Sequence, residues 1–521
     1  MIAAIVHLSR LGRAGFVLAR EGVLALVEED ALPPGPRAVV RFGRMIERRN
    51  AGSGASRLAT ALTRLGPPYV KLGQFLATRP DVVGAAIAAD LEALQDKMPP
   101  FPQAQAEAVI RDSFGKTVSE LFTEFGPPVA AASIAQVHRA TVATPGGPRD
   151  VAVKVLRPGI EHRFQRDLAS FFYIARLAER QSAEARRLRL VATVDTLARS
   201  VTMETDLRLE AAAYSELAEN TKDDPDFRVP KTDWERTARR VLTTEWVGGI
   251  PLNDRARLAA AGFDLVRLGR VLIQTFLRQA IVDGFFHADL HPGNVFVDPD
   301  GRLVAVDCGI MGRLGLKERR FLAEILYGFI TKNWQRTAEI HFEAGYVPAH
   351  HSVEDFAQAI RAIGEPIHDR PADEISMAKL LTLLFEVTAL FDMRTRPELL
   401  LLQKTMVVVE GVARSLDPKL DMWTTAEPVV REWIERNLGP VGRIEEAASE
   451  LGGLGKLLGN APSMLARAAG TMERFDEQTR DGLVLAPETV EAIGRAEGRR
   501  WRWATVALWV IAGILLIWLL R

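Results

Sequence analysis

The feature that most restricts this chain is a pair of short acidic fragments separated by a hairpin. His287-Ala288-Asp289-Leu290-His291-Pro292-Gly293-Asn294 places Asn294 five residues after Asp289, and Asp307-Cys308-Gly309 follows thirteen residues later. Between them NVFVDPDGRLVAVD reads as two short strands turning at Asp298-Pro299-Asp300-Gly301. Handling a nucleoside triphosphate needs a carboxylate near the accepting hydroxyl or water, and oxygen ligands for the Mg²⁺ that holds the phosphates. An aspartate after a strand and before a glycine can swing onto such a metal. A polar turn plus an unrelated capping aspartate is the plainer reading, and the two fragments with a hairpin between them weigh against it.

The spacing from Asp289 to Asn294 is that of the protein-kinase catalytic loop H-R-D-L-x-x-x-N, and Asp307-Cys308-Gly309 stands in the place of D-F-G. Alanine replaces the kinase arginine at position 288, which removes a partner for a phosphorylated activation loop. Val151-Ala152-Val153-Lys154 matches the V-A-I-K strand whose lysine meets the α- and β-phosphates. An inward lysine on an apolar strand is costly without an anionic partner. Glu210, in LRLEAAAYSEL, is the partner expected, and it lies far enough along the chain to require helices inserted between Pro158 and Arg199. In place of a glycine-rich loop stands Val129-Ala130-Ala131-Ala132-Ser133-Ile134-Ala135-Gln136-Val137. Alanine is small enough to let backbone approach phosphates but takes positive φ less freely than glycine, so a stiffer loop is expected. His287 and His291 share one loop and are read as structural.

With 521 residues the chain exceeds one compact core. Its 66 basic and 66 acidic residues cancel, so no bulk attraction to nucleic acid is implied and no nucleic-acid partner is expected. The one cysteine, Cys308, excludes an internal disulfide and fits a reducing compartment. Expected segments are a helical stretch 1–56 with a small-residue linker at 51–56, and helices over 57–120 broken by Gly66-Pro67-Pro68 and Met98 to Pro102. A β-rich part opened by Pro127-Pro128 follows, 121–248, with helices inserted at 160–222 and a strand at 239–247 stopping at Gly248-Gly249; the helical part 249–495 carries the hairpin. Met1 to Leu26 is expected to form a helix packed on its own domain. GGLGKLLG near residue 455 lacks the strand and hydroxyl of a phosphate loop and is read as structural. Trp503–Leu520 is an uncharged run of 18 residues, about 27 Å as a helix, with Arg499, Arg500 and Arg502 before it and tryptophans toward its ends. That reads as a membrane span, single-pass, with the large domain on the cytoplasmic side.

Taken together these residues resemble the UbiB family of atypical kinase-like proteins, over about residues 60–320. Lys71-Leu72-Gly73-Gln74 is similar to the family's K-x-G-Q motif, Glu204-Thr205-Asp206 to its E-x-D motif, and AAASIAQVH to its alanine-rich loop. Without the resemblance, Lys71, Gln74, Glu204 and Asp206 would read as solvated helix faces. The resemblance implies an α+β, two-lobed protein-kinase-like fold with an N-terminal helical extension folded over the active site and a C-terminal transmembrane helix in the bacterial inner membrane. It implies that Lys154 neutralises ATP phosphates, Glu210 orients it, Asn294 and Asp307 hold Mg²⁺, Asp289 acts as base or positions water, and Lys71, Gln74, Glu204 and Asp206 form a lid. It implies ATP hydrolysis serving ubiquinone biosynthesis, with membrane lipid, polyprenylated quinone precursors and other enzymes of that pathway as partners. A protein or small-molecule kinase is one alternative, since H-A-D-L-H-P-G-N also resembles aminoglycoside-type phosphotransferases. A non-catalytic nucleotide-binding scaffold is another. A flavin hydroxylase would need an early dinucleotide-binding glycine fingerprint, and none is present.

Overall fold

The structure is a computed structural model. It describes residues 2–26, 54–77, 98–366 and 397–438, with the separate positions 41, 44–47, 79, 83, 87, 90, 91, 94, 387 and 390–393.

Three helices open the chain: α1 (Ile2–Arg20), α2 (Gly54–Leu65) and α3 (Pro67–Ala77). Helix α2 starts at Gly54, inside the stretch expected to be a linker. Leu58, Ala61, Leu62 and Leu65 are all buried and share one face, and that stripe draws the small residues ahead of it into the helix. Gly66, at φ 98°, ends α2, and Pro67 opens α3, where its missing N–H costs nothing. Gly73 lies where an added Cβ would fall 2.6 Å from Leu62 and 2.8 Å from Leu94, so the K-x-G-Q glycine lets α3 approach its neighbours.

Helices α4 (Gln103–Phe114) and α5 (Val118–Leu121) precede the main sheet. Strands β1 (Glu124–Ala131), β2 (Ala135–Thr144) and β3 (Gly147–Leu156) form an antiparallel meander that β5 (Val241–Glu245) completes, in the order β1-β2-β3-β5. Alternate residues Val151, Val153 and Val155 of β3 are fully buried against Val109 and Ile110 of α4. That alternation leaves Lys154 on the opposite face. Strand β1 begins at Glu124, ahead of the two prolines. Pro127 and Pro128 sit within it, with register shifts around Pro128. Proline lacks a ladder N–H, and β1 tolerates two because it is an edge strand.

Between β3 and β5 the chain inserts α6 (Ile160–Gln181), α7 (Ala183–Arg187), α8 (Leu190–Glu204) and α9 (Leu207–Asn220), as Glu210 required, then the short β4 (Phe227–Arg228). Helix α1 packs on α6: His7 hydrogen-bonds Ser170 at 3.0 Å and stacks on Tyr173 at 5.4 Å.

Past β5, Gly248-Gly249 leads into β6 (Ile250–Pro251) and the helices α10 (Arg255–Ala260) and α11 (Leu265–Leu277). A π-helical turn, Arg278–Asp283, brings the chain to β7 (Phe285–His287). The hairpin is β8 (Val295–Val297) and β9 (Leu303–Ala305), joined by β4 and β6 in a second sheet ordered β4-β9-β8-β6. Strand β10 (Met311–Arg313) pairs with β7. Sequence reading expected one hairpin here; β6, β7 and β10 span two or three residues, too few for alternation to show. Helices α12 (Leu316–Ile330), α13 (Trp334–Glu343), α14 (Val353–Gly364), α15 (Pro397–Leu416) and α16 (Met422–Leu438) follow. Among the described residues no helix is long and apolar enough to cross a membrane. The expected span 503–520, and GGLGKLLG, lie outside the described residues.

Candidate active site

Lys154 is the hub. Its Nζ donates to both carboxylate oxygens of Glu210, at 2.8 and 2.9 Å, and to Oδ1 of Asp307 at 3.0 Å. Glu210 stands one turn into α9, whose N-terminus Asp206 caps by accepting from the Arg208 N–H. One turn further, the hydroxyl of Tyr214 accepts the backbone N–H of Asp307 at 2.5 Å. One helix face therefore holds both the ammonium and the backbone of the aspartate that shares it. Asp307 adopts φ 69°, the left-handed region, where Asp is tolerated better than most residues.

The loop carrying Asp289 is tied to Asp307 through His287. This ring is fully buried; its Nε2–H donates to the Asp307 carbonyl at 2.9 Å and its Nδ1 accepts the Asp289 N–H at 3.1 Å. Burial pushes its pKa down, which suits a neutral ring with the proton on Nε2. Gln279, delivered by the π-helical turn, accepts the His287 N–H at 3.1 Å, and Thr405 of α15 donates to the Ala288 carbonyl at 3.0 Å. The Asn294 amide nitrogen donates to the backbone oxygen and Oδ2 of Asp289, both at 3.1 Å. His291 accepts the Gly293 N–H at 3.2 Å.

One ammonium between two carboxylates sets the electrostatics. Burial pushes Glu210 up to about 7, Lys154 opposing and Asp307 adding to the rise. Asp307 is held down at about 2, chiefly by the Lys154 charge, against the cost of burial. For Lys154, burial works to lower the pKa, but the two carboxylates prevail and hold it above its ordinary value. Half of the Asp307 side chain is exposed, whereas Glu210 retains 8%. Asp307 is exposed and Asp289 and Asn294 are half-buried, and each can offer a side-chain oxygen. Such a set fits Mg²⁺, a hard cation that prefers oxygen ligands.

The alanine-rich segment is a tight β1–β2 turn. The Ala132 N–H donates to the Ala135 carbonyl at 2.8 Å, and the Arg157 guanidinium donates to the Ala132 carbonyl (2.8 and 2.9 Å) and to that of Pro99 (2.8 Å) while lying over the Phe101 ring. Within 129–137, Gln136 has its buried amide engaged by the Phe101 N–H and by His138, both at 2.9 Å, and its side chain is turned inside the protein. Val129 and Ala130 are exposed on the edge strand.

Lys71 of α3 meets Glu204, the last residue of α8, at 2.6 Å, which joins the two motifs. Gln74 lies one turn along α3, half-buried. Asp206 is engaged at the start of α9 and with the Arg208 guanidinium, at 2.7 and 2.9 Å, rather than with Lys154. Sequence reasoning missed Tyr214, Gln279, Thr405 and Arg157. Arg157 alone carried a signal, as a charged residue at the strand end just before Pro158.

Residues 93–341 match the ABC1 atypical kinase-like domain, and residues 360–421 match the UbiB helical domain. A "Probable protein kinase UbiB" of Marinobacter nauticus is 40% identical over 89% of this chain and 85% of its own length. Another of that name from Azotobacter vinelandii is 40% identical over 78% of this chain and 76% of its own. A solved Mycobacterium tuberculosis protein in complex with erythromycin is 26% identical, covering 72% of this chain and 95% of that one, with a TM-score of 0.48.

Proposed function

This chain belongs to the UbiB family of atypical kinase-like proteins, and from that premise we propose that it is a Mg²⁺-dependent ATPase that supports ubiquinone biosynthesis at the membrane. The observation that carries the nucleotide part is Lys154 held at 2.8 Å from Glu210 and 3.0 Å from Asp307. An ammonium so placed is fixed in position for the α- and β-phosphates, and Glu210 keeps it there. Asp307 and Asn294 would hold Mg²⁺, which would supply charge neutralisation for the phosphates. Asp289 is oriented by Asn294 and by the His287 bond to its backbone; its role is to position the attacking water.

The Lys71–Glu204 pair supports hydrolysis over transfer to a peptide. It fastens the helical extension to the corner from which α9 presents Glu210, so Lys71, Gln74, Glu204 and Asp206 act as a lid that couples the extension to the nucleotide cleft. The membrane part of the proposal rests on the apolar run 503–520 and its basic flank, which anchor the chain in the bacterial inner membrane. Polyprenylated quinone precursors in that membrane, and other enzymes of the pathway, are the proposed partners.

The test is ATP turnover by the full chain in liposomes, with free phosphate and phosphorylated product both measured. Mg²⁺-dependent release of free phosphate, lost in Asp307→Asn, supports the proposal. Phosphoryl transfer to protein or lipid at the rate of ATP consumption would replace it with a kinase, and nucleotide binding without turnover would replace it with a scaffold.

A further inference from the structure

Among the described residues one cluster of metal-ligating side chains shares no residue with the cleft: His350, His351 and Asp392. The Nε2 atoms of His351 and His350 lie 3.3 and 3.7 Å from Oδ2 of Asp392, and the two ring centroids are 4.1 Å apart. One donor atom from each residue falls within 4.8 Å of the others. A tetrahedral ion with ligands at about 2.0–2.1 Å holds its donors about 3.3–3.4 Å apart. Small side-chain rotations would close these three donors on an ion.

The cluster has a rigid mount. The histidines follow Val347 in the turn between α13 and α14, and Asp392 follows Phe391. Val347 and Phe391 are buried in one apolar cluster with Phe356. Phe391 packs edge-on against Phe356 at 4.9 Å and lies 5.3 Å from the His351 ring. Core packing thus fixes both chain segments, while the His350 and Asp392 side chains remain about two-thirds exposed, at 67% and 68%. Asp392 takes φ 47°, a left-handed conformation Asp accommodates.

We propose that His350, His351 and Asp392 form a binding site for a borderline divalent transition metal, Zn²⁺ foremost, with the remaining coordination position open to solvent. Two imidazoles and one carboxylate suit Zn²⁺, Co²⁺ or Ni²⁺ and not Mg²⁺, so the site is chemically distinct from the nucleotide cleft. Its consequence is a clip. It joins a turn lying between the two matched family regions, 93–341 and 360–421, to a segment inside the second.

The test titrates the full-length, tag-free, chelator-treated chain with Zn²⁺ and Co²⁺ in the presence of millimolar Mg²⁺. Expected are one equivalent bound per chain, visible absorption bands on Co²⁺ binding, and a raised melting temperature with Zn²⁺. His350→Gln and Asp392→Asn lie at exposed positions and leave the apolar cluster intact; each weakens binding about tenfold or more. Zn²⁺ affinity unchanged in the double variant, or no saturable binding in the parent chain, overturns the proposal.

Discussion

Lys71 and Glu204 meet at 2.6 Å with only 13% and 12% of their side chains exposed. They come from a helix ahead of β1 and a helix inserted between β3 and β5, and little of either charge is left to solvent. Removing one partner of a mostly buried pair strands the other and costs about 3–5 kcal/mol. Lys71→Met and Glu204→Gln should each lower the melting temperature markedly, and the double variant should lose less than the sum. Thermal denaturation of the four proteins checks this. Additive losses would show that the pair is not coupled.

Asp307→Asn keeps the size and the left-handed backbone of residue 307 but removes the charge beside Lys154. Turnover should fall by roughly a hundredfold or more, on the scale of losing one charge-stabilising group. Circular dichroism should be unchanged. Phosphate release at parental rates from the variant would remove Asp307 from the proposed machinery.

Glu210 makes the apo protein sensitive to pH. Its folded pKa, about 7, lies above the ordinary 4.5, so its charge costs stability; the cost is absent below 4.5 and grows as pH rises toward 7. Asp307 acts oppositely: held at about 2 instead of 3.8, it contributes stability above 3.8 that is lost as pH falls toward 2. Lys154, raised from 10.5, changes nothing below that value. Between pH 4.5 and about 7 the Glu210 effect should dominate this cluster. The melting temperature of the parent should therefore decline across that range relative to Glu210→Gln, measured side by side without nucleotide. Parallel curves would contradict the assignment.

The two adjacent glycines after β5 should behave differently. A Cβ on Gly249 would fall 2.5 Å from the Val297 carbonyl oxygen, whereas one on Gly248 meets nothing within 4 Å. Gly249→Ala should push β6 from β8, cost about 1–3 kcal/mol and weaken nucleotide binding. Gly248→Ala should be close to neutral. Denaturation midpoints and nucleotide affinity for both variants decide it.

Much of the site was legible in the sequence because it is written in charge. A lysine in an alternating apolar strand demands a carboxylate, and Glu210 is the one expected; Asp307 reads as a metal ligand, and its hold on the Lys154 ammonium comes only with the structure. The inserted helices followed from the distance between Lys154 and Glu210. The hairpin between the two acidic fragments was legible from its turn residues. What escaped were roles exercised on backbone atoms. Tyr214, Gln279 and Thr405 act through an N–H or a carbonyl whose position only the folded chain defines. Gln136 illustrates the converse: its place in the loop motif suggested a ligand contact, yet its amide is engaged inside the protein with Phe101 and His138. The start of α2 at Gly54 was hidden because small residues carry no periodic signal of their own.

The sharing of Lys154 has a consequence for the order of events. With Glu210 ionised, the cluster of Lys154, Glu210 and Asp307 carries one negative charge in excess, and His287 ties the Asp289 loop to it. Free ATP, itself an anion, meets repulsion at that threshold. On the proposed function, Asp307 would turn to a divalent ion arriving with the nucleotide and leave the ammonium to Glu210 and the phosphates. By linkage, each then tightens the other by the same factor. On the proposed function, the cleft would take up nucleotide together with its metal more readily than nucleotide alone.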